Sequence, residues 1–184
     1  MLDGLDPMQL AKRLEYQHGC DHERHQKWAD AAFKLMSSDP WVMMTIQSLG
    51  VLDSKLIKED EYILGNKRSS SPAGDLNEQI TMSYLWVLGA YEVVRTLDQR
   101  ARENRSSEDE TRKSLQQLKR KFERIRMPLA KLEAARRYKD TDRQFAFPGI
   151  NTDYGTVWHV GENVWITRRE LSDSMLELME KYEV

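Results

Sequence analysis

Residues Met82 to Tyr91 (MSYLWVLGAY) form a run that is apolar on almost every side of a helical wheel. The run lies inside a longer stretch, 76–104, whose opening Asp75 and Glu78 fit the cap-x-x-Glu signature of a helix start. A helix that is apolar nearly all round is stable only when other elements enclose it, so this segment is expected at the centre of a bundle. Ser83 interrupts the run, and its length is about half the roughly 20 residues that a bilayer-spanning helix needs. No membrane span is therefore expected.

Start signals of the same kind recur along the chain. Asp6-Pro7 with Gln9, Ser38/Asp39 with Pro40, Ser107 with Glu110, and Thr167 with Glu170 each place a capping side chain ahead of a helical pattern. Helices are expected near 7–36, 40–64, 76–104, 107–126, 128–138 and 168–182. Two glycines complicate the first two. Gly19 either lies within a continuous first helix or ends it, with Asp21 capping a new one, and Gly50 is a potential break in the second. Residues 65–74 (GNKRSSSPAG) read as a loop. Pro128 lacks a backbone donor and is expected to kink or split the helix around it.

Leu115, Leu118, Phe122, Ile125, Leu129 and Leu132 recur at steps of three and four, and Leu171, Met175, Leu178 and Tyr182 form a shorter seam. Such a seam wants a partner helix in this chain or in a second copy, and with both seams unpartnered in the sequence a homodimer is expected. Residues 156–167 change period. Val157 to Val160 and Val164 to Thr167 flank a Gly-Glu-Asn turn and read as a β-hairpin. Pairing Val160 with Val164 sets His159 opposite Trp165 on one face and Trp158 with Ile166 on the other. An isolated hairpin is marginal in water, so one face must pack on helices. The expected fold is mainly α: a single-domain helical bundle over 7–138, with the hairpin and a final helix over 144–184.

The composition agrees with that class. Of 184 residues, 40% are hydrophobic and 32% charged, as in a folded chain with a heavily solvated surface. The single cysteine, Cys20, cannot form an internal disulfide, and the acidic opening MLDGLDPMQ has no apolar export signal. A cytoplasmic location is expected. Charge is uneven. Residues 95–143 carry 16 basic and 9 acidic side chains, whereas 1–63 carry 7 and 11, and 144–184 carry 3 and 7. A basic block between acidic flanks is expected to fold back on them. The alternative is an anionic or protein partner at 112–143, held by charge.

Three of the four histidines, His18, His22 and His25, fall within eight residues. On a continuous helix Leu14, His18, Asp21, His25, Trp28, Ala32 and Leu35 share one stripe, apolar at both ends and polar in the middle. His22 lies one turn beyond His18 and Glu15 about one turn before it. Imidazoles at i and i+4 can chelate one divalent ion, so Glu15, His18, Asp21, His22 and His25 are a candidate metal set. If Gly19 ends the helix instead, the same histidines become a helix C-terminal residue and an exposed first turn.

Glu15-x-x-His18 resembles the Glu-x-x-His element of the ferritin-like di-metal carboxylate proteins. That family uses two such motifs plus carboxylates from two further helices, and this chain has one. Arg13 and His18 spell Arg-x-x-x-x-His, which resembles the Arg-x(4–6)-His motif of HEPN-type ribonucleases, themselves helical bundles. That resemblance implies phosphate binding by Arg13 and acid–base work by His18. In HEPN domains the motif lies late in the bundle, and here it lies near the start.

Cys20 is off the His18/His25 stripe and reads as structural. Glu92 and Arg95 close the most apolar helix and read as a local ion pair at spacing three. The sharper alternative points Glu92 inward as a ligand or base. No Walker A loop, Gly-x-Gly-x-x-Gly, Gly-x-Ser-x-Gly or Cys-x-x-Cys is present. Phe122 and Tyr138 are too few for a base-stacking platform within the basic run. The expectation is a non-catalytic interaction or regulatory protein. The alternative is a divalent-metal protein or metal-dependent hydrolase on the histidine cluster, with Glu92 or His159 as a further ligand. A HEPN-like ribonuclease is the third reading.

Overall fold

A computed structural model describes residues 19–65, 76–103 and 109–182. Within them the order is α1 (His22–Phe33), α2 (Pro40–Gly65), α3 (Leu76–Glu103), α4 (Asp109–Ala130), β1 (Asp142–Asn151), β2 (Gly155–Gly161), β3 (Val164–Thr167) and α5 (Arg168–Lys181), with a 3-10 turn at Arg136–Tyr138 before β1. The fold is mainly α with a small antiparallel sheet ahead of the last helix. No helix among the described residues is long and apolar enough to cross a membrane.

The start signals act where expected. The Asp21 side chain accepts from the Arg24 N–H at 3.0 Å, Asp39 accepts from the Val42 N–H at 3.1 Å, and the Thr167 hydroxyl accepts from the Glu170 N–H at 3.0 Å. Each satisfies a backbone donor that the first turn leaves open. Asp75, Ser107 and the 7–18 segment lie outside the described residues.

As its pattern requires, α3 is the central helix, packed on α2, α4, α5 and β2. Trp86, Val87, Ala90, Val94 and Leu97 are buried along it, and only Leu85 within the apolar run is strongly exposed. The indole of Trp86 donates to the Leu49 carbonyl at 3.0 Å and meets Phe122 of α4 at 6.1 Å. Both seams find partners inside this one chain. Leu115, Leu118, Phe122, Ile125, Leu171 and Met175 are all buried in the common core. Of the two partners open to these seams, this chain's own helices are the ones that cover them.

Four local expectations are settled by the structure. First, of the two alternatives at Gly19, the helix break with a new start at Asp21 holds. Residues 19 and 20 are non-helical, and α1 starts at His22 behind the Asp21 cap. Second, α2 runs through Gly50 unbroken. The glycine is there because a Cβ at position 50 would stand 2.4 Å from the Trp28 Cβ. Third, Pro128 lies within α4 without splitting it. The helix ends at Ala130, just before Leu132 takes a left-handed φ of 56°, so the separate helix expected over 128–138 is replaced by the end of α4 and the 3-10 turn. Fourth, the hairpin is the outer part of a three-stranded sheet in the order β1-β2-β3.

Strand β1, unassigned from the sequence, pairs with β2 across a tight turn. Asn151 Oδ1 accepts from the N–H groups of Asp153 and Tyr154, and Gly155 adopts φ 73°. The β2–β3 register sets His159 against Trp165 and Trp158 against Ile166, as expected, but an irregularity places Gly161, not Val160, opposite Val164. The inner face of β2 packs on the helices. Trp158 and Val160 are buried, and Ser83 of α3 donates to Thr156 at 3.1 Å.

Candidate functional site

The densest charge cluster lies in the core. On α2, Ile46, Leu49, Asp53, Leu56 and Asp60 follow at steps of three and four and are all buried. Two carboxylates therefore sit on an otherwise apolar stripe. Arg168, at the start of α5 and fully buried, reaches both: its guanidinium donates to Asp53 at 2.5 Å and to Asp60 at 3.0 Å. Arg24 of α1 adds a second bond to Asp53 at 2.5 Å, continues to Asp173 at 2.7 Å, and donates to Ser172. The Trp28 indole donates to Asp53 at 2.9 Å, and the Gln79 amide to Asp60 at 2.7 Å.

Burial by itself would raise the Asp53 pKa. The guanidinium charges of Arg168 and then Arg24 outweigh it, with hydrogen bonds from Arg24 and Ser172 adding to them, and the carboxyl is held below its ordinary range. Gly155 closes the cluster from the sheet side, since a Cβ there would lie 2.1 Å from the Asp60 carboxyl carbon. Both carboxylates are sealed from solvent. This network clamps α1, α2, α3 and α5 together; Asp53, Asp60 and Arg168 are enclosed, and only its outer members Arg24 and Asp173 reach a surface concavity.

Of the candidate metal set, Asp21, His22 and His25 lie among the described residues. The Asp21 carboxylate is engaged as the α1 cap, His22 is exposed and His25 is half-buried. Among the described residues no group of three His, Cys, Asp or Glu side chains is disposed to hold a metal ion. Arg13, Glu15 and His18, which carry the two family resemblances, lie outside the described residues. Burial and then the nearby Asp21 charge push the Cys20 thiol up, against thiolate formation. Glu92 and Arg95 are both exposed and bond to each other at 2.7 Å, so the inward-pointing alternative is corrected. They lie on the solvent side of α3, whose opposite side stays buried through Val94, Leu97 and Ala101.

The basic block is only partly self-neutralised. Asp98 takes Lys119 at 2.6 Å and Arg102 at 2.7 Å, Asp39 takes Arg100, and Glu92 takes Arg126 at 3.8 Å. Arg124 clamps Asp142 with two bonds of 2.7 and 2.8 Å while lying 4.1 Å over the Tyr138 ring. By contrast Arg136, Arg137 and Lys139 are exposed. Arg136 and Arg137 line one concavity with Arg120, Glu123, Ala135 and Tyr138.

The second surface is the outward face of the sheet. Phe147 pairs across to His159, and His159 to Trp165, so three rings stand in one row across all three strands. The His159 and Trp165 rings are stacked, with centroids 4.3 Å apart and planes at 15°. Phe145 meets Phe147 edge to face at 4.4 Å. The Arg143 guanidinium lies 5.6 Å from the Phe147 centroid. Phe145, Phe147 and Trp165 remain 46%, 42% and 57% exposed. The sequence reading found His159 and Trp165 but missed the two phenylalanines. Their signal is the alternation Arg143-Gln-Phe145-Ala-Phe147 ahead of the Asn151-to-Gly155 turn, which Pro148 obscured. No protein-family model, curated protein or solved structure matches this chain.

Proposed function

We propose that this is a non-catalytic binding protein whose working surface is the outward face of the sheet. The observation that carries this reading is the exposed row Phe147, His159 and Trp165, extended by Phe145. Contiguous aromatic surface left to water is unfavourable, and such patches commonly mark a site that a partner covers. In the strongest charge cluster Asp53, Asp60 and Arg168 are buried and pair with one another and with Arg24, which supports a structural role for these charges and a binding role for the protein over a catalytic one. The buried cysteine, Cys20, fits the reducing cytoplasm.

The test is affinity capture from cell extract with wild-type chain and with W165A and F147A. A partner retained by wild type and lost from both variants supports the reading. Partners retained equally by all three would overturn it.

A homodimer, expected from the sequence, has a different surface to form on. Phe33, Met36, Trp41 and Met44 are exposed where α1 meets α2, with Trp41 at 77%, and this patch supports self-association. The divalent-metal alternative on Glu15, His18, Asp21, His22 and His25 predicts about one ion per chain or per dimer in protein purified without an affinity tag. The sheet-face reading requires none.

A further inference from the structure

We infer that the aromatic sheet face and the arginines beside it bind single-stranded nucleic acid. The inference rests on the sheet face being the working surface, and it adds the chemistry of the occupant.

Two kinds of group are needed for sequence-tolerant capture of a single strand: flat π surfaces for the bases and unpaired cations for the phosphates. The sheet supplies the first. One face of the Trp165 indole is covered by His159, so its 57% exposure lies on the other face and the rim. Trp165 stands on β3, at an edge of the sheet, where a base can extend the existing stack. Phe145 and Phe147 offer ring surface on the opposite edge strand.

The run into β1 supplies the second. Arg136, Arg137 and Lys139 are exposed and make no ion pair among the described residues, and Arg143 makes only its contact over Phe147. The acidic groups of this run are Glu133, Asp140 and Asp142. Asp142 is already neutralised by Arg124. Arg124 also joins the two halves of the site. It lies on Tyr138, which lines the arginine concavity, and it grips Asp142, the first residue of β1. The exposed cations Arg136, Arg137 and Lys139 thus precede β1 in the chain, and Arg143 lies on β1 beside the Phe147 ring. A peptide partner would need an acidic segment to satisfy those cations, whereas a nucleic acid satisfies both the cations and the rings.

The experiment is fluorescence anisotropy with labelled oligo-U and oligo-dT of about 12 nucleotides, titrated with the full chain between about 50 and 200 mM salt. Both strands are expected to bind, and the RNA and DNA arms report which sugar is preferred. W165A and F147A should each weaken binding by about tenfold with the salt dependence unchanged. A triple R136Q/R137Q/R143Q variant should instead lower the salt slope by about 2. Circular dichroism confirms that these surface variants are folded.

The inference is overturned by an absence of binding at the lowest salt. It is equally overturned by binding that W165A and F147A leave intact, or by duplex and inorganic polyphosphate binding as well as the single strand, which indicates charge alone. If oligonucleotides fail while W165A and F147A still lose a captured protein, the nucleic-acid inference falls and the sheet-face reading stands. If capture is also indifferent to both variants, both fall.

Discussion

The indole-bearing carbon of Trp28 stands so close to Gly50 that a Cβ at position 50 would come within 2.4 Å of it. The same Trp28 then reaches one turn further along α2 to donate to Asp53 at 2.9 Å. The missing side chain at Gly50 lets α1 approach α2, and the bonds of Trp28 and Arg24 to Asp53 hold the crossing there.

Gly50→Ala should destabilise the protein in spite of improving helix propensity. Alanine gains about 1 kcal/mol over glycine in a helix interior. Driving a methyl into the Trp28 Cβ and Cγ costs about 1–3 kcal/mol or more in a packed core, because neither atom is the end of a flexible chain. The net expectation is a lower urea midpoint. A midpoint equal to or above wild type would show that the two helices separate freely.

Arg168→Met leaves Asp53 and Asp60 buried without their shared counter-charge. Breaking a buried pair from one side costs about 3–5 kcal/mol, and urea unfolding at neutral pH measures it. Gly155→Ala attacks the same cluster from the sheet, since it combines a left-handed φ of 73° with a collision at Asp60. It should cost at least about 2 kcal/mol.

Asp53 also makes stability depend on pH. Its folded pKa is depressed below the ordinary 3.8 because the Arg168 and Arg24 charges outweigh its burial. The folded chain therefore binds this proton less readily than the unfolded chain. The contribution is whole above about pH 4, where both states are ionised, and is lost as pH falls from there toward the lower folded value. Urea midpoints of wild type should decline below about pH 4, and Asp53→Asn should show a shallower decline from a lower plateau. An unchanged acid slope in the variant argues against the assignment.

Trp158 and Trp165 lie on opposite faces of the same hairpin and should behave oppositely. Trp158→Ala opens the core and should cost about 3–5 kcal/mol. Trp165→Ala removes only the stack on His159 and should cost about 0.5–1.5 kcal/mol, while weakening oligonucleotide binding about tenfold. Thermal melts and binding titrations on the two variants check both halves.

Trp41→Glu should leave the fold unchanged and abolish self-association. Sedimentation velocity over a range of concentrations reports it. A wild-type chain that remains monomeric throughout would rule out the Phe33, Met36, Trp41 and Met44 patch as a dimer surface.

The sequence was most legible where local chemistry is sufficient. Asp21, Asp39 and Thr167 mark helix starts because a side-chain oxygen can satisfy a first-turn N–H with no help from the rest of the chain. The His159–Trp165 pair followed from period-two alternation about a turn. A polar break in an apolar stripe is a signal for a buried polar cluster, and the chain carries two such stripes, one through His18, Asp21 and His25 and one on α2. The stripe that carries such a cluster in the core is Ile46, Leu49, Asp53, Leu56 and Asp60. Nothing local distinguishes the two, since the decisive partner, Arg168, is 115 residues from Asp53.

The bare chain determined that α3 would be central and the fold mainly helical, because an all-round apolar helix has no stable place but the interior. Only the tertiary structure decided that α4 and α5 close their seams on this same chain, that Asp53 and Asp60 meet Arg168, and that Phe145 and Phe147 join His159 and Trp165 on an open sheet face. Those outcomes depend on which distant surfaces come together, and the free energy of such contacts resides in neither partner's local sequence.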